Sequence, residues 1–302
     1  MPERVKIVDV GAGPPIVIVP GVQGRWEWMQ PAVDALSRKC RVITFSLADE
    51  PTCGGRFDEP TGFACYVQQV ADALDACGIQ RAAICGVSFG GLVAAAFAAR
   101  QPDRTAALVL VSALHPAWTP DARVRFYLRA PLLLSPLFCV ASLRMYREIR
   151  AASAGFASGI GVGVRHGFTV VRHMFSPSRM ARRVRLLEGL GLEDTFRAVD
   201  VPTLVVTGES DLDRVVPVRL TRKYLDLWPH ARYAVVPRTG HIGLITRADE
   251  FAAIVASFVE NESRGRHAAE APLRDDEAGQ RHAHVDPAMA APLNPGAARK
   301  PR

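Results

Sequence analysis

Short unbroken apolar runs alternate along the chain with longer stretches in which apolar positions return every three or four residues. The runs at residues 16–19, 41–47, 81–85, 107–112 and 204–206 are the length of strands, and continuous apolarity predicts burial on both faces. Residues 4–9 alternate instead, and residues 232–236 supply a last strand. Helical spacing predicts helices over 30–39 and 89–100, the second stopped by Gln101-Pro102, and over 249–259. Val67, Val70, Leu74 and Cys77 recur at the same spacing and predict a helix that stops at Gly78. Strands alternating with helices predict an α/β fold, a mainly parallel sheet with helices on both faces. Gly11-Ala12-Gly13-Pro14-Pro15 reads as a hairpin-like turn into residues 16–19. A dinucleotide loop is excluded there, because Pro14-Pro15 bars the helix start that such a loop requires.

One stretch carries a chemistry. The run at 81–85 leads into Gly86-Val87-Ser88-Phe89-Gly90-Gly91 and then into the helical pattern of 89–100. A serine hydroxyl is a poor nucleophile unless a strained turn holds it out of the chain beside a base. A sharp strand-to-helix turn does this, with glycine two positions on either side because a Cβ there would collide across the turn. Three further segments follow the order such chemistry needs. Residues 16–22 run from a strand into Pro20-Gly21-Val22; residues 204–213 run from a strand into Gly208-Glu209-Ser210-Asp211-Leu212-Asp213; and Thr239-Gly240-His241 precedes the last helix.

In these segments the chain resembles the α/β-hydrolase superfamily, over about residues 5–116 and 198–260 and weakly between. The resemblance implies an α/β-hydrolase fold with Ser88 as nucleophile, His241 as base and a carboxylate behind the histidine, in the order Ser…Asp…His. It implies the main-chain N–H groups of Val22 and Phe89 as the oxyanion hole, a small-molecule acyl substrate, and no cofactor. Two departures stand out. Pro20 takes the place of the family's usual histidine, so the support of that loop must differ. The acid is also ambiguous: counting from Gly208 points to Asp211, and counting back from Val215-Val216-Pro217 points to Asp213, which is preferred. The implied reaction is hydrolysis of a carboxylic ester or related acyl compound. A carbon–carbon-bond hydrolase, a perhydrolase or an acyltransferase would use the same residues, and a non-catalytic hydrolase-like binding protein is the alternative of another class.

Composition bounds this picture. A chain of 302 residues, 49% hydrophobic, can bury one core and carry an insertion. No charged start precedes an apolar segment, so no signal peptide is expected and the location expected is cytoplasmic. The apolar run 130–143 is short of the roughly 20 residues a bilayer span needs, and Pro131 and Pro136 interrupt it. Six cysteines (Cys40, Cys53, Cys65, Cys77, Cys85 and Cys139) form no C-x-x-C pair, which favours buried thiols over zinc or disulfides, and no metal is expected. Residues 121–197 hold thirteen arginines, no lysine and five acids, an excess of eight that exceeds the whole chain's net +7.

That basic segment resembles the family's mobile cap, inserted between the sixth and seventh strand regions. The expected organisation is a core of 1–118 and 198–262, a helical cap of 119–197 and a disordered tail of 263–302. The arginines read first as a solvated lid surface. Next come attraction of anionic substrates and peripheral contact with an anionic membrane, which the run 130–143 between Arg125, Arg129, Arg144 and Arg147 would suit. Nucleic acid is not expected as a partner, since no reading helix or aromatic-interleaved basic strand is evident. Oligomeric state is left open. Gly155, Gly159, Gly161, Gly163 and Gly167 read as a hinge or close helix contact rather than a phosphate cradle. His166 and His173 could share a cap face, His115 marks the exit into the cap, and Trp26 or Trp28 could wall the pocket.

Overall fold

The computed structural model of the chain describes residues 6–54, 57–152 and 176–270. Seven strands form one sheet among the described residues: β1 (Ile7–Val10), β2 (Pro15–Val19), β3 (Arg41–Phe45), β4 (Ala82–Val87), β5 (Thr105–Val111), β6 (Thr203–Thr207) and β7 (Arg232–Val235). Their spatial order is β1-β3-β2-β4-β5-β6-β7, and every neighbouring pair is parallel except β1 with β3. Between the strands lie α1 (Gln30–Leu36), α2 (Phe63–Ala76) and α3 (Phe89–Arg100). After β5 come α4 (Ala122–Arg129), α5 (Ser135–Ala141), α6 (Tyr146–Ala152), α7 (Pro177–Arg185) and α8 (Leu192–Arg197). The chain closes with α9 (Val218–Arg222), α10 (Tyr224–Leu227), α11 (Gly243–Thr246) and α12 (Ala248–Glu270).

The apolar runs become the central strands because both sheet faces are covered. Successive side chains point to opposite faces. Val17, Val19, Ile84, Leu108 and Leu110 join one core with α2 and α3, and Ile16, Ile18, Cys85, Val109 and Val111 join the other with α1 and α12. Each fully buried Val, Leu or Phe contributes about 1.5–3 kcal/mol relative to exposure. α3 is buried from Phe89 through Ala98, with no polar face, because it is wedged against the sheet behind α2.

Three sequence expectations change. The turn at residues 11–15 is no hairpin: β1 pairs antiparallel with β3, which lies between β1 and β2. Charge and backbone hold β3 there, with Arg41 Nε donating to Asp9 Oδ1 at 3.0 Å and the Arg41 main-chain N–H donating to the Pro14 carbonyl at 3.2 Å. The insertion falls between β5 and β6 rather than between a sixth and seventh strand, since only five described strands precede it. The last helix, expected over 249–259, runs on to Glu270, past position 262 where the apolar periodicity ends. No helix among the described residues is long and apolar enough to cross a membrane.

The sharpest backbone feature is the β4–α3 junction. Ser88 sits there at φ 53°, ψ −114°, outside the helix it caps, a conformation that costs about 1–3 kcal/mol. Glycine is required on both sides by close approach. A Cβ on Gly86 would lie 2.3 Å from the Gly90 carbonyl oxygen, and a Cβ on Gly90 would lie 2.4 Å from that of Val19. The Ser88 N–H donates to the Val111 carbonyl at 2.9 Å, which ties the turn to β5.

Gly90→Ala should therefore destabilise the fold by about 3 kcal/mol or more, since rigid backbone on β2 must move. Gly265→Ala, in α12 with nothing within 4 Å of the new Cβ, should stabilise by about 0.5–1 kcal/mol. Urea unfolding midpoints at unchanged slope measure both.

Candidate active site

Because β2, β4, β5, β6 and β7 are parallel, the loops leaving their C-terminal ends share one edge of the sheet. In open α/β sheets that edge is where ligands bind. Val22 follows β2, Ser88 follows β4, Asp213 follows β6 and His241 follows β7. Ser88, Asp213 and His241 are buried. The first loop lies directly against the serine, since a Cβ on Gly21 would sit 3.5 Å from Ser88 Cβ. Phe89 opens α3, and the first N–H groups of a helix have no partner within it and carry its positive dipole end. Its ring is fixed edge-on by Phe63 and Tyr66, with centroids 6.0 and 5.6 Å away.

Of the two candidate acids, Asp213 is the one that approaches His241. Asp213 Oδ2 faces His241 Nδ1 at 3.3 Å, while Asp211 is exposed two residues away. Asp213 Oδ1 accepts the N–H groups of Val215 and Val216, each at 2.9 Å, so both carboxylate oxygens are engaged. Burial, the largest influence, pushes the Asp213 carboxyl up, yet His241 and the two main-chain donors together hold it below the ordinary value. The two loops are joined at backbone level. A Cβ on Gly240 would lie 2.6 Å from the Asp213 nitrogen, and the Glu209 N–H donates to the Thr239 carbonyl at 2.7 Å.

The loop that lacks the family histidine is supported by a side chain of the insertion. Arg183 of α7 is fully buried and donates through Nη1 to the Val22 carbonyl at 2.7 Å. Its Nε and Nη2 meet Asp49 Oδ1 at 3.0 and 2.6 Å, and Nη2 also meets Glu50 Oε1 at 2.5 Å. This corrects the reading of the insertion's arginines as a solvated surface. Arg123, Arg125, Arg129, Arg147 and Arg150 are exposed as expected, but Arg183 is structural. A second buried charge from the insertion, Glu148 of α6, accepts the Ile242 N–H at 2.8 Å. Neither was foreseen. The only sequence sign was an arginine inside an amphipathic helix, and an acid among arginines.

Other singled-out residues resolve simply. Cys85 is fully buried in β4, where desolvation pushes its thiol up to about 12, too high for a nucleophile. His115 is buried, with Nδ1 accepting the Ala117 N–H at 3.1 Å and its ring 5.0 Å from that of Tyr224. Trp26 packs on the core beside α1 and α12. Gly155, Gly159, Gly161, Gly163, Gly167, His166 and His173 lie outside the described residues.

Known proteins agree with this architecture. The model of the Alpha/beta hydrolase family matches residues 16–254. A 2-hydroxymuconate semialdehyde hydrolase from Pseudomonas sp. (strain CF600) is 27% identical over 272 residues, covering 85% of this chain and 90% of its own. A poly(3-hydroxyalkanoate) depolymerase from Ectopseudomonas oleovorans is 27% identical over 256 residues, covering 82% and 85%. Among solved structures, the enol-lactonase from Burkholderia xenovorans LB400 superposes with a TM-score of 0.69 at 23% identity, over 84% of this chain and 96% of that one. The chain belongs to the alpha/beta hydrolase family and is a hydrolase.

Arg183→Met would leave Asp49 and Glu50 buried without their main cation, and should destabilise by about 3–5 kcal/mol in urea unfolding. Restoring neutrality with Asp49→Asn and Glu50→Gln in the same chain should recover a large part of that loss.

Proposed function

We propose that the chain is a serine-dependent hydrolase of carboxylic esters or related acyl compounds, working through an acyl-enzyme on Ser88. The carrying observation is the constellation at one sheet edge: a strained Ser88 at the start of α3, with His241 backed by Asp213. Ser88 Oγ attacks the acyl carbonyl as His241 takes its proton, and the main-chain N–H groups of Val22 and Phe89 receive the oxyanion. His241 then returns the proton to the leaving group. Water, deprotonated by His241, releases the acid and restores Ser88. Asp213 fixes the histidine tautomer and stabilises its charged form. Losing one oxyanion donor typically costs about 3 kcal/mol of barrier.

In this reading residues 1–118 and 198–262 are the core and 119–197 a cap that selects substrate. Leu132, Leu133, Leu137, Val140 and Leu143 are exposed in the insertion, at 67, 80, 49, 62 and 71%, near exposed Arg125, Arg129 and Arg147. That combination supports apolar-tailed, anionic acyl substrates and peripheral contact with an anionic membrane. A second reading, cleavage of a carbon–carbon bond beside a carbonyl, is favoured by the likeness to 2-hydroxymuconate semialdehyde hydrolase.

A fluorophosphonate probe should label Ser88 in the wild type. Ser88→Ala and His241→Ala should each lower p-nitrophenyl ester turnover by about 10⁴-fold or more, with the double variant little worse. Asp213→Asn should cost on the order of 10⁴-fold in kcat, and Asp211→Asn almost nothing. Retained turnover in folded Ser88→Ala would sink the assignment. Comparing these esters with 2-hydroxymuconate semialdehyde separates the two readings.

For an anionic ester, kcat/KM should fall between 0.1 and 1 M salt as the Debye length shrinks from about 10 to about 3 Å, while a neutral ester of equal length holds steady. Arg129→Gln with Arg147→Gln should narrow that difference. Sedimentation with anionic but not with neutral phospholipid vesicles is the expected membrane result.

A further inference from the structure

The mechanism leaves one buried ionisable group next to the histidine without a task. Glu148 belongs to α6, in the insertion, and only 1% of its surface is exposed. Its Oε1 accepts the Ile242 N–H at 2.8 Å, and the Gly240 N–H also bears on the carboxylate. The hydrogen-bonded N–H follows His241 directly in the chain, and Gly240 precedes it. Among the described residues, the ionisable groups acting on it are His241 and Asp213.

We propose that Glu148 is a positioning residue for the histidine loop, holding His241 in its working place when the insertion is seated on the core. This rests on the reading of His241 as the base of Ser88. The carboxylate acts in two ways. It holds the peptide group that joins His241 to Ile242, so the placing of the ring depends on a residue from the insertion. It also adds a negative charge, beyond that of Asp213, near an imidazole that turns positive as Ser88 attacks.

A plain structural anchor would behave differently, and pH separates the two. Desolvation, the largest influence, pushes the Glu148 carboxyl up to about 7, against the opposing pull of the two N–H groups and His241. A carboxyl raised above its unfolded value of about 4.3 adds stability below that value and loses it as pH rises through the folded value. At pH 8 the ionised Glu148 therefore weighs against the fold, and its charge is kept for the loop's sake.

The test compares Glu148→Gln with the wild type by ester turnover and thermal melting from pH 5.5 to 8.5. Gln keeps an acceptor of the same shape and removes the charge. At pH 8.5 the variant should turn over about tenfold more slowly with KM little changed, while melting no lower than the wild type. The rate difference should close toward pH 5.5, where a protonated Glu148 and a glutamine carry the same charge. Glu148→Ala, which removes the acceptor as well, should be slower than Gln at every pH. A Gln variant that melts lower or does not fold, or a rate ratio that is flat with pH, marks an anchor and overturns the proposal. A wild type that labels with fluorophosphonate at Ser88, beside a Gln variant of unchanged rate, overturns this proposal alone. A wild type that does not label removes the Ser88 reading and this one together.

Discussion

The architecture depends on a backbone crossing too tight for side chains. At the end of β4 the chain reverses into α3 with the Gly86 position packed on the Gly90 carbonyl and the Gly90 position packed on the Val19 carbonyl. This contact sets the distance between α3 and the sheet, and it forces Ser88 into a positive φ. The strain is sustained because the junction is tied on several sides: Ser88 N–H to Val111, and Leu114 N–H to the Ser88 carbonyl at 3.2 Å. Buried α3 then carries its N-terminus to the same edge as the loop of Val22. The site's electrostatics follow from a steric requirement.

The edge itself is completed by charges that the sheet does not supply. Arg183 enters from α7 to hold the Val22 carbonyl, and Glu148 enters from α6 to hold the Ile242 N–H. Both are buried, one a cation against Asp49 and Glu50 and the other a carboxyl that burial raises to about 7 beside His241. Buried charges add little net stability over apolar replacements, but removing one partner is costly. Such contacts define one seating of the insertion rather than a general attraction to the core. Apolar contact alone would allow the helices to slide.

The family supports many chemistries on this frame, so fold alone selects none of them. The exposed leucines and arginines of the insertion contrast with the buried core. Its described elements are short: Arg183 ties α7 and Glu148 ties α6 to the core by polar contacts, while α8 packs into the apolar core through Leu192 and Phe196.

The strand runs, α3 and the positions of Ser88 and His241 were legible in the sequence because they are local. Two-sided burial demands unbroken apolar residues, and a tight turn demands glycine at fixed offsets. The approach of Asp213 rather than Asp211 to His241 was half legible, since the count from the following helix favoured it but only the fold brings the two to 3.3 Å. The pairing of β1 with β3 was not legible. A glycine-proline turn specifies a change of direction but not which strand fills the gap, and the Asp9–Arg41 pair that decides it spans 32 residues. Least legible were Arg183 and Glu148. Charge and helical spacing assign such residues to solvent, and only a partner 134 residues away for Arg183, or 94 for Glu148, reverses that. Local pattern determined where the chain places Ser88 and His241. Long-range burial decided which charges the fold would keep beside them, because an ion leaves water only where a distant segment supplies its partner.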